Sequence, residues 1–223
     1  MPLEPSTFLI LVLLGGIVAV DGTSFGQFMI SRPFVAASLA GLVVGDPVSG
    51  ATLGLMLEAF HLTVLPVGAA KYPEGGPAAV AGAGIYASTA SAPSALVLTI
   101  LVVLLLEYLG GETVRYLRQT NIGLVTVDHR PQLRARDLEK RHWLAMALDF
   151  ARGCLLVALG MVVIALASRH LFPYWGFGED LPQMMLIGIL AGLLASTVSL
   201  LGSRFWFALA GATVAVAFLV LQA

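Results

Sequence analysis

Apolar residues run along this chain in stretches of two lengths, and charged residues mark where each stretch stops. Long runs occupy roughly 79–106, 143–168 and, as a tight hairpin pair, 184–201 with 205–222. Each is close to the ~20 apolar residues that cross a bilayer as a helix. The stretches near 8–20, 34–45, 47–57 and 59–70 are shorter, cut by Asp21, Asp46-Pro47, Glu58 and Lys71. The pattern therefore predicts an all-α, polytopic integral membrane protein with re-entrant or broken helices in the N-terminal half and spanning helices in the C-terminal half. Lipid offers backbone groups no hydrogen-bond partners, so interrupted segments at membrane depth need protein or a watery cavity around them. Glycines such as Gly41, Gly50, Gly54, Gly75 and Gly76 lie in this broken half, where they permit close helix approach and tight turns.

Composition agrees with lipid as the solvent. Of 223 residues, 58% are hydrophobic and 11% charged, against about a quarter charged in soluble domains. The mean hydropathy is +0.92. A net charge of −1 carries no nucleic-acid signal; in a membrane chain the position of the basic residues matters. Arg115, Arg118, Arg130, Arg134, Arg136, Lys140 and Arg141 are seven of the 12 Lys and Arg. Their segment, 110–142, is expected on the cytoplasmic side. The stretch 170–182 has aromatic residues, Glu179 and Asp180 but no Lys or Arg, which suits the outer face. The chain thus divides into a substrate-path half with broken helices (1–109), a basic cytoplasmic linker (110–142) and a transmembrane helical half (143–223). The lone Cys154 reads as a small lipid-facing or packing residue. The N-terminus has Glu4 in place of a basic n-region and is expected to be retained.

Charges within apolar stretches are the candidate chemistry. One at the bilayer centre costs about 2.5–3.5 kcal/mol on insertion scales, so Asp21, Arg32, Glu58, Lys71 and Glu74 require partners or a cavity. Asp46, directly before Pro47, reads as a turn and helix start. The residues before Glu58 are almost all apolar or Gly, which makes an intramembrane functional site its first reading. A structural ion pair with Arg32 or Lys71 competes with it. His61, one helical turn on, reads first as a packed, hydrogen-bonded histidine and second as a ligand contact. There is no G-x-S-x-G, no Cys with a partnered His and no H-E-x-x-H spacing, so neither catalysis, nor a metal, nor a cofactor is expected of this chain. The basic run 130–141 lacks interleaved aromatic residues and reads as a topology signal and docking surface, with no nucleic acid as partner. The remaining inventory of carboxylates, an amide and a guanidinium suits the hydroxyls of a neutral polyol.

Four linked motifs occur in the first third of the chain: G-Q-x-x-x-S-R-P (Gly26 to Pro33), L-x-G-L-x-x-G-D (Leu39 to Asp46), L-E (Leu57-Glu58) and P-x-G-A-A-x-x-P (Pro66 to Pro73). In order and spacing, residues 21–80 resemble the IIC membrane component of mannose/fructose/sorbose-type sugar phosphotransferase systems; beyond residue 80 the likeness is one of hydropathy. The resemblance implies a multi-pass subunit of the cell (plasma or inner) membrane. It would carry a hexose or hexitol-like sugar across the lipid bilayer within a hetero-oligomer containing a IID membrane subunit. Phospho-IIB would then phosphorylate the sugar, the phosphohistidines residing on soluble IIA and IIB. Gln27, Arg32 and Glu58 match the family motifs directly. Glu74 stands where the family usually has Asp, and Asp21 lies just ahead of the G-Q motif, where an acidic residue is common. His61 and Lys71, where the family usually has apolar or small residues, are weaker candidates. Two rival functions are a regulatory or scaffold membrane protein that moves no sugar, and an ion-coupled secondary transporter using Glu58.

Overall fold

The computed structural model describes residues 3–62, 72–89, 92–125, 135–171, 176 and 178–200. Its elements are helices: α1 (Pro5–Thr23), α2 (Pro33–Val44), α3 (Pro47–His61), α4 (Gly75–Ser88), α5 (Pro93–Val125), α6 (Ala135–Leu171) and α7 (Leu181–Leu200). The first six belong to one compact unit, Met1–Gly176; α7 belongs to a second, Phe177–Ala223.

Local chemistry sets the boundaries. α1, α2 and α3 each begin with proline in the first turn, where its missing N–H is not needed and its φ is already helical. Asp46 caps α3, its Oδ1 accepting from Ser49 N–H at 3.1 Å and its Oδ2 from Ser49 Oγ at 2.5 Å. Just before it, Gly45 ends α2 at φ +94°, a left-handed conformation that costs glycine nothing. The expected short helices at 34–45 and 47–57 are thus α2 and α3, 12 and 15 residues long, although Glu58 does not end α3, which runs on to His61.

Two expectations need correction. The stretch at 8–20 is no half-helix: α1 has 19 residues and is apolar enough to cross a membrane. Asp21 does not end it because the carboxylate is buried in the last turn and bonded to amides further along the chain. The run 79–106 is not one span but two helices. α4 stops at Ser88, with Ser88 Oγ and Thr89 Oγ1 donating to Ile85 O and Tyr86 O, each at 2.7 Å. Pro93, which disfavours helical backbone at the preceding residue, opens α5. The 14 residues of α4 reach only about 21 Å at 1.5 Å per residue, short of a ~30 Å hydrocarbon core. α5 and α6 have 33 and 37 residues, more than a span needs. Their surplus carries much of the basic segment 110–142, of which 126–134 lie outside the described residues. So do most of the stretch 59–70 and all of 205–222.

α4 is the centre of the first unit. It packs on α1, α2, α3, α5 and α6, and every residue from Gly75 to Ala87 is buried. Glycines admit the closest approaches around it. A Cβ at Gly41 of α2 would stand 2.9 Å from Gly50 Cα of α3, and one at Gly153 of α6 would stand 2.6 Å from Gly15 O of α1. Cys154 packs in the same α1–α6 seam, its Sγ 2.7 Å from where a Gly16 Cβ would sit. Outward faces are apolar too: Leu9, Leu13 and Ile17 on α1 and Leu155, Leu159 and Val162 on α6 are exposed, as helices facing hydrocarbon require.

Candidate functional site

Asp21 builds the first wall. It is 4% exposed, and its Oδ1 and Oδ2 accept from the N–H groups of Phe28 and Ser31 at 2.7 and 2.9 Å. These bonds pin the loop after α1 into a tight course with positive φ at Gly26, Gln27 and Met29. Non-glycine residues adopt such backbone only when their surroundings hold them there. The outcome is an exposed Gln27 amide beside a buried carboxylate.

Arg32 and Glu58 form an ion pair at the start of α2. Arg32 Nε donates to Glu58 Oε1 at 2.7 Å, its Nη2 joins the same oxygen, and Phe34 N–H donates to Oε2 at 3.2 Å. Glu58 thus reaches from α3 to satisfy one of the orphan amides that open α2. Both anticipated environments of Glu58 involve its charge; the geometry here is the ion pair.

Glu74, just ahead of α4, enters a buried network. Its two oxygens accept from Arg152 Nη1 and Nη2 at 2.5 and 2.6 Å. Arg152 also donates from Nε and Nη2 to Asp149 Oδ1 at 3.0 and 2.8 Å, and from Nη1 to Thr113 Oγ1 at 3.0 Å. The hydroxyls of Thr23 and Ser24 close on Asp149 Oδ2. One guanidinium thereby ties the end of α1 and the start of α4 to α5 and α6. Bidentate arginine pairs of this kind are the strong, geometrically specific ones. Close by, the Glu74 N–H donates to Glu107 O at 3.0 Å. The Nε2 of the half-buried His61 lies 3.1 Å from Oε1 of the buried Glu107, without the alignment of a hydrogen bond. Sequence reasoning passed over Glu107, Asp149 and Arg152. The available signal was a carboxylate and a guanidinium one helical turn apart inside an apolar run.

These elements enclose a cavity of about 520 Å³, within the ~300–1,000 Å³ usual for ligand sites. Asp21, Gln27, Arg32, His61 and Glu74 line it; Glu58 does not, and Lys71 lies outside the described residues. Motif residues from the loop after α1, the end of α3 and the start of α4 are therefore brought to one place. Among the described residues, no group of three or more His, Cys, Asp or Glu side chains is placed to hold a metal ion.

Comparison with known proteins places this arrangement. Residues 6–172, hence α1 to α6, match the family model described as the sorbose-specific IIC component of the phosphotransferase (PTS) system. The sorbose-specific EIIC component of Lacticaseibacillus casei is 36% identical over 66 residues, covering 30% of this chain and 24% of that protein. The mannose-specific EIIC component of Escherichia coli K12 is 31% identical over 106 residues, covering 42% of this chain and 40% of that protein. The chain thus matches less than half the length of these curated relatives. Two solved structures share the fold at 16% identity. A membrane protein superposes with TM-score 0.67 over 100% of this chain and 97% of its own. The mannose transporter ManYZ, in a cryo-EM complex with microcin E492, superposes with TM-score 0.64 over 96% of this chain and 88% of its own. With its long apolar helices and a match through all six helices of the first unit, this multi-pass membrane protein belongs to the family of PTS sorbose-specific IIC components.

Proposed function

We propose that the chain is the sugar-translocating subunit of a phosphoenolpyruvate-dependent phosphotransferase system. It takes a hexose or hexitol of the mannose, fructose or sorbose class through the cavity beside α4 and presents it at the cytoplasmic face to phospho-IIB. A IID-like membrane subunit completes the path, and the phosphoryl chemistry resides on the soluble IIA and IIB proteins. The observation that supports this most is the convergence of Asp21, Gln27, Arg32, His61 and Glu74 on one cavity, although they are spread over some fifty residues of sequence. The Gln27 amide and the Arg32 guanidinium offer the donors and acceptor that sugar hydroxyls pair with. Asp21 and Glu74 shape the walls through their bonds to Phe28, Ser31 and Arg152.

The test is uptake of radiolabelled mannose and sorbose by cells that lack their own mannose-class permease and express this chain with its IID-like partner. Uptake that requires phosphoenolpyruvate and falls at least tenfold in Gln27→Ala is expected. Uptake that follows an ion gradient instead would make the protein a secondary transporter. Absence of uptake, with retained binding of soluble phosphotransfer proteins, would make it a regulator.

A further inference from the structure

The cavity has a charged mouth that a neutral sugar does not need. Gly111, Val114, Arg115 and Arg118 of α5 all line it, and the spacing of three, four and seven residues places them on one helical face. Gly111 and Val114 are buried, while Arg115 and Arg118 are exposed, so this face runs from an apolar interior to a basic rim. The other charged groups of the wall are engaged. Asp21 holds two backbone amides, Glu74 holds Arg152, and Arg32 holds Glu58.

The rim arginines are committed far less. Arg115 gives its Nε to Glu112 Oε2 at 2.8 Å and lays its guanidinium 4.7 Å from the centre of the Tyr116 ring. Arg118 has no carboxylate partner among the described residues. Its guanidinium lies 5.9 Å from the centre of the Tyr72 ring, and Tyr72 lines the same cavity. Stacking on a ring occupies the face of a guanidinium and leaves its in-plane N–H fork free. Two guanidinium groups one helical turn apart, each beside a tyrosine ring and both lining one cavity, fit a tetrahedral oxyanion with several acceptor oxygens. Basic residues that served only as a topology signal would have no need to line a cavity.

We infer that Arg115 and Arg118 form a phosphoryl-binding site at the cavity mouth, which holds the phosphate monoester of the sugar while its ring still occupies the cavity. The inference rests on the sugar-path reading for what the phosphoryl group is attached to. The phosphate of an anionic lipid headgroup has the same chemistry, and the experiment separates the two. Binding of mannose, sorbose, mannose 6-phosphate and sorbose 1-phosphate is measured on the full chain with its IID-like partner, in nanodiscs of phosphatidylcholine and of phosphatidylcholine with phosphatidylglycerol. The same is done for Arg115→Gln, Arg118→Gln and Arg118→Lys.

At least one phosphate ester is expected to bind ten times more tightly than its parent sugar. Each Gln variant should remove most of that advantage while leaving the parent sugar within twofold, and Arg118→Lys should restore part of it. An ester that binds no better than its sugar, or variants that weaken both alike, overturn the phosphoryl site and leave the sugar path standing. Arginine-dependent binding of an ester with no binding of either sugar supports the site and overturns the sugar path. Absence of all binding overturns both. Arginine-dependent enrichment of phosphatidylglycerol without ester binding reassigns the arginines to headgroups and overturns the proposal.

Discussion

Asp149 is fully buried, at 0% exposure, and its charge is held by one guanidinium and two hydroxyls. Removing Arg152 would leave both Asp149 and Glu74 without their cation, and a broken buried pair costs about 3–5 kcal/mol. Arg152→Met is therefore expected to lower the amount of folded protein in the membrane severely. Arg152→Met combined with Glu74→Gln and Asp149→Asn should recover most of it, since neutral groups are cheaper to bury. Equal levels of the single and triple variants would show that the charges are not coupled. Glu58 is a milder case, because Arg32 keeps 37% side-chain exposure and water screens the pair. Glu58→Gln loses a hydrogen bond to a charged group, about 1.5–3 kcal/mol, and should depress the melting temperature in detergent while altering sugar affinity less than Gln27→Ala does. A variant of normal stability and much weakened sugar binding would return Glu58 to the site. The apolar surroundings of Glu58 pointed first to an intramembrane functional site and second to an ion pair. Its partner was one of two candidates, and only the packing of α3 against α2 selected Arg32.

Among elements, the α2–α3 hairpin depends on the absence of side chains. A Cβ at Gly50 would lie 2.8 Å from Gly41 Cα and 2.5 Å from Ala37 O, and backbone atoms cannot step aside as a flexible side chain can. Gly50→Ala should cost about 1–3 kcal/mol, the usual penalty of overpacking. Gly45→Ala, at φ +94° but with open space around it, should cost about 1–2 kcal/mol through backbone strain alone. Gly188→Ala in α7, where a Cβ meets nothing among the described residues, should stay within about 0.5 kcal/mol. Thermal unfolding of the three variants checks the order. The break within the hairpin was readable in advance, because Asp46 before Pro47 reads as a turn and helix start. The division of 79–106 was less so: Ser88, Thr89, Ser91 and Pro93 form a loop signal, but the stretch carries no charge and a spanning helix can tolerate a proline as a kink.

For the whole molecule, the orientation remains a proposal with a direct test. The cavity shares the end of α5 that carries Arg115 and Arg118, continuous with the basic segment expected on the cytoplasmic side. A thiol introduced at Gln132 should be protected from a membrane-impermeant reagent in intact cells, and one at Gly178 should be labelled. The reverse pattern would invert the path and place the arginine rim on the outer face, where no cytoplasmic phosphoprotein reaches it. Association is testable in the same membranes. Short helices at membrane depth need protein around them, so the chain should co-purify with a IID-like subunit through mild detergent.

The sequence by itself determined the solvent, the helical class, the short helices α2 and α3 and the motif residues of the cavity. Each follows from local quantities: hydropathy per residue, capping chemistry and the spacing of Gly, Pro and charge. Only the tertiary structure decided which charges neutralise which. Arg152 meets Glu74 from 78 residues away, and the hydroxyls of Thr23 and Ser24 meet Asp149 across more than 120. Such pairings carry no periodic signal, because they arise where α1, α4, α5 and α6 converge. The same convergence lets α4 be short. A helix buried on every side obtains its stability from its neighbours and need not reach across the bilayer by itself.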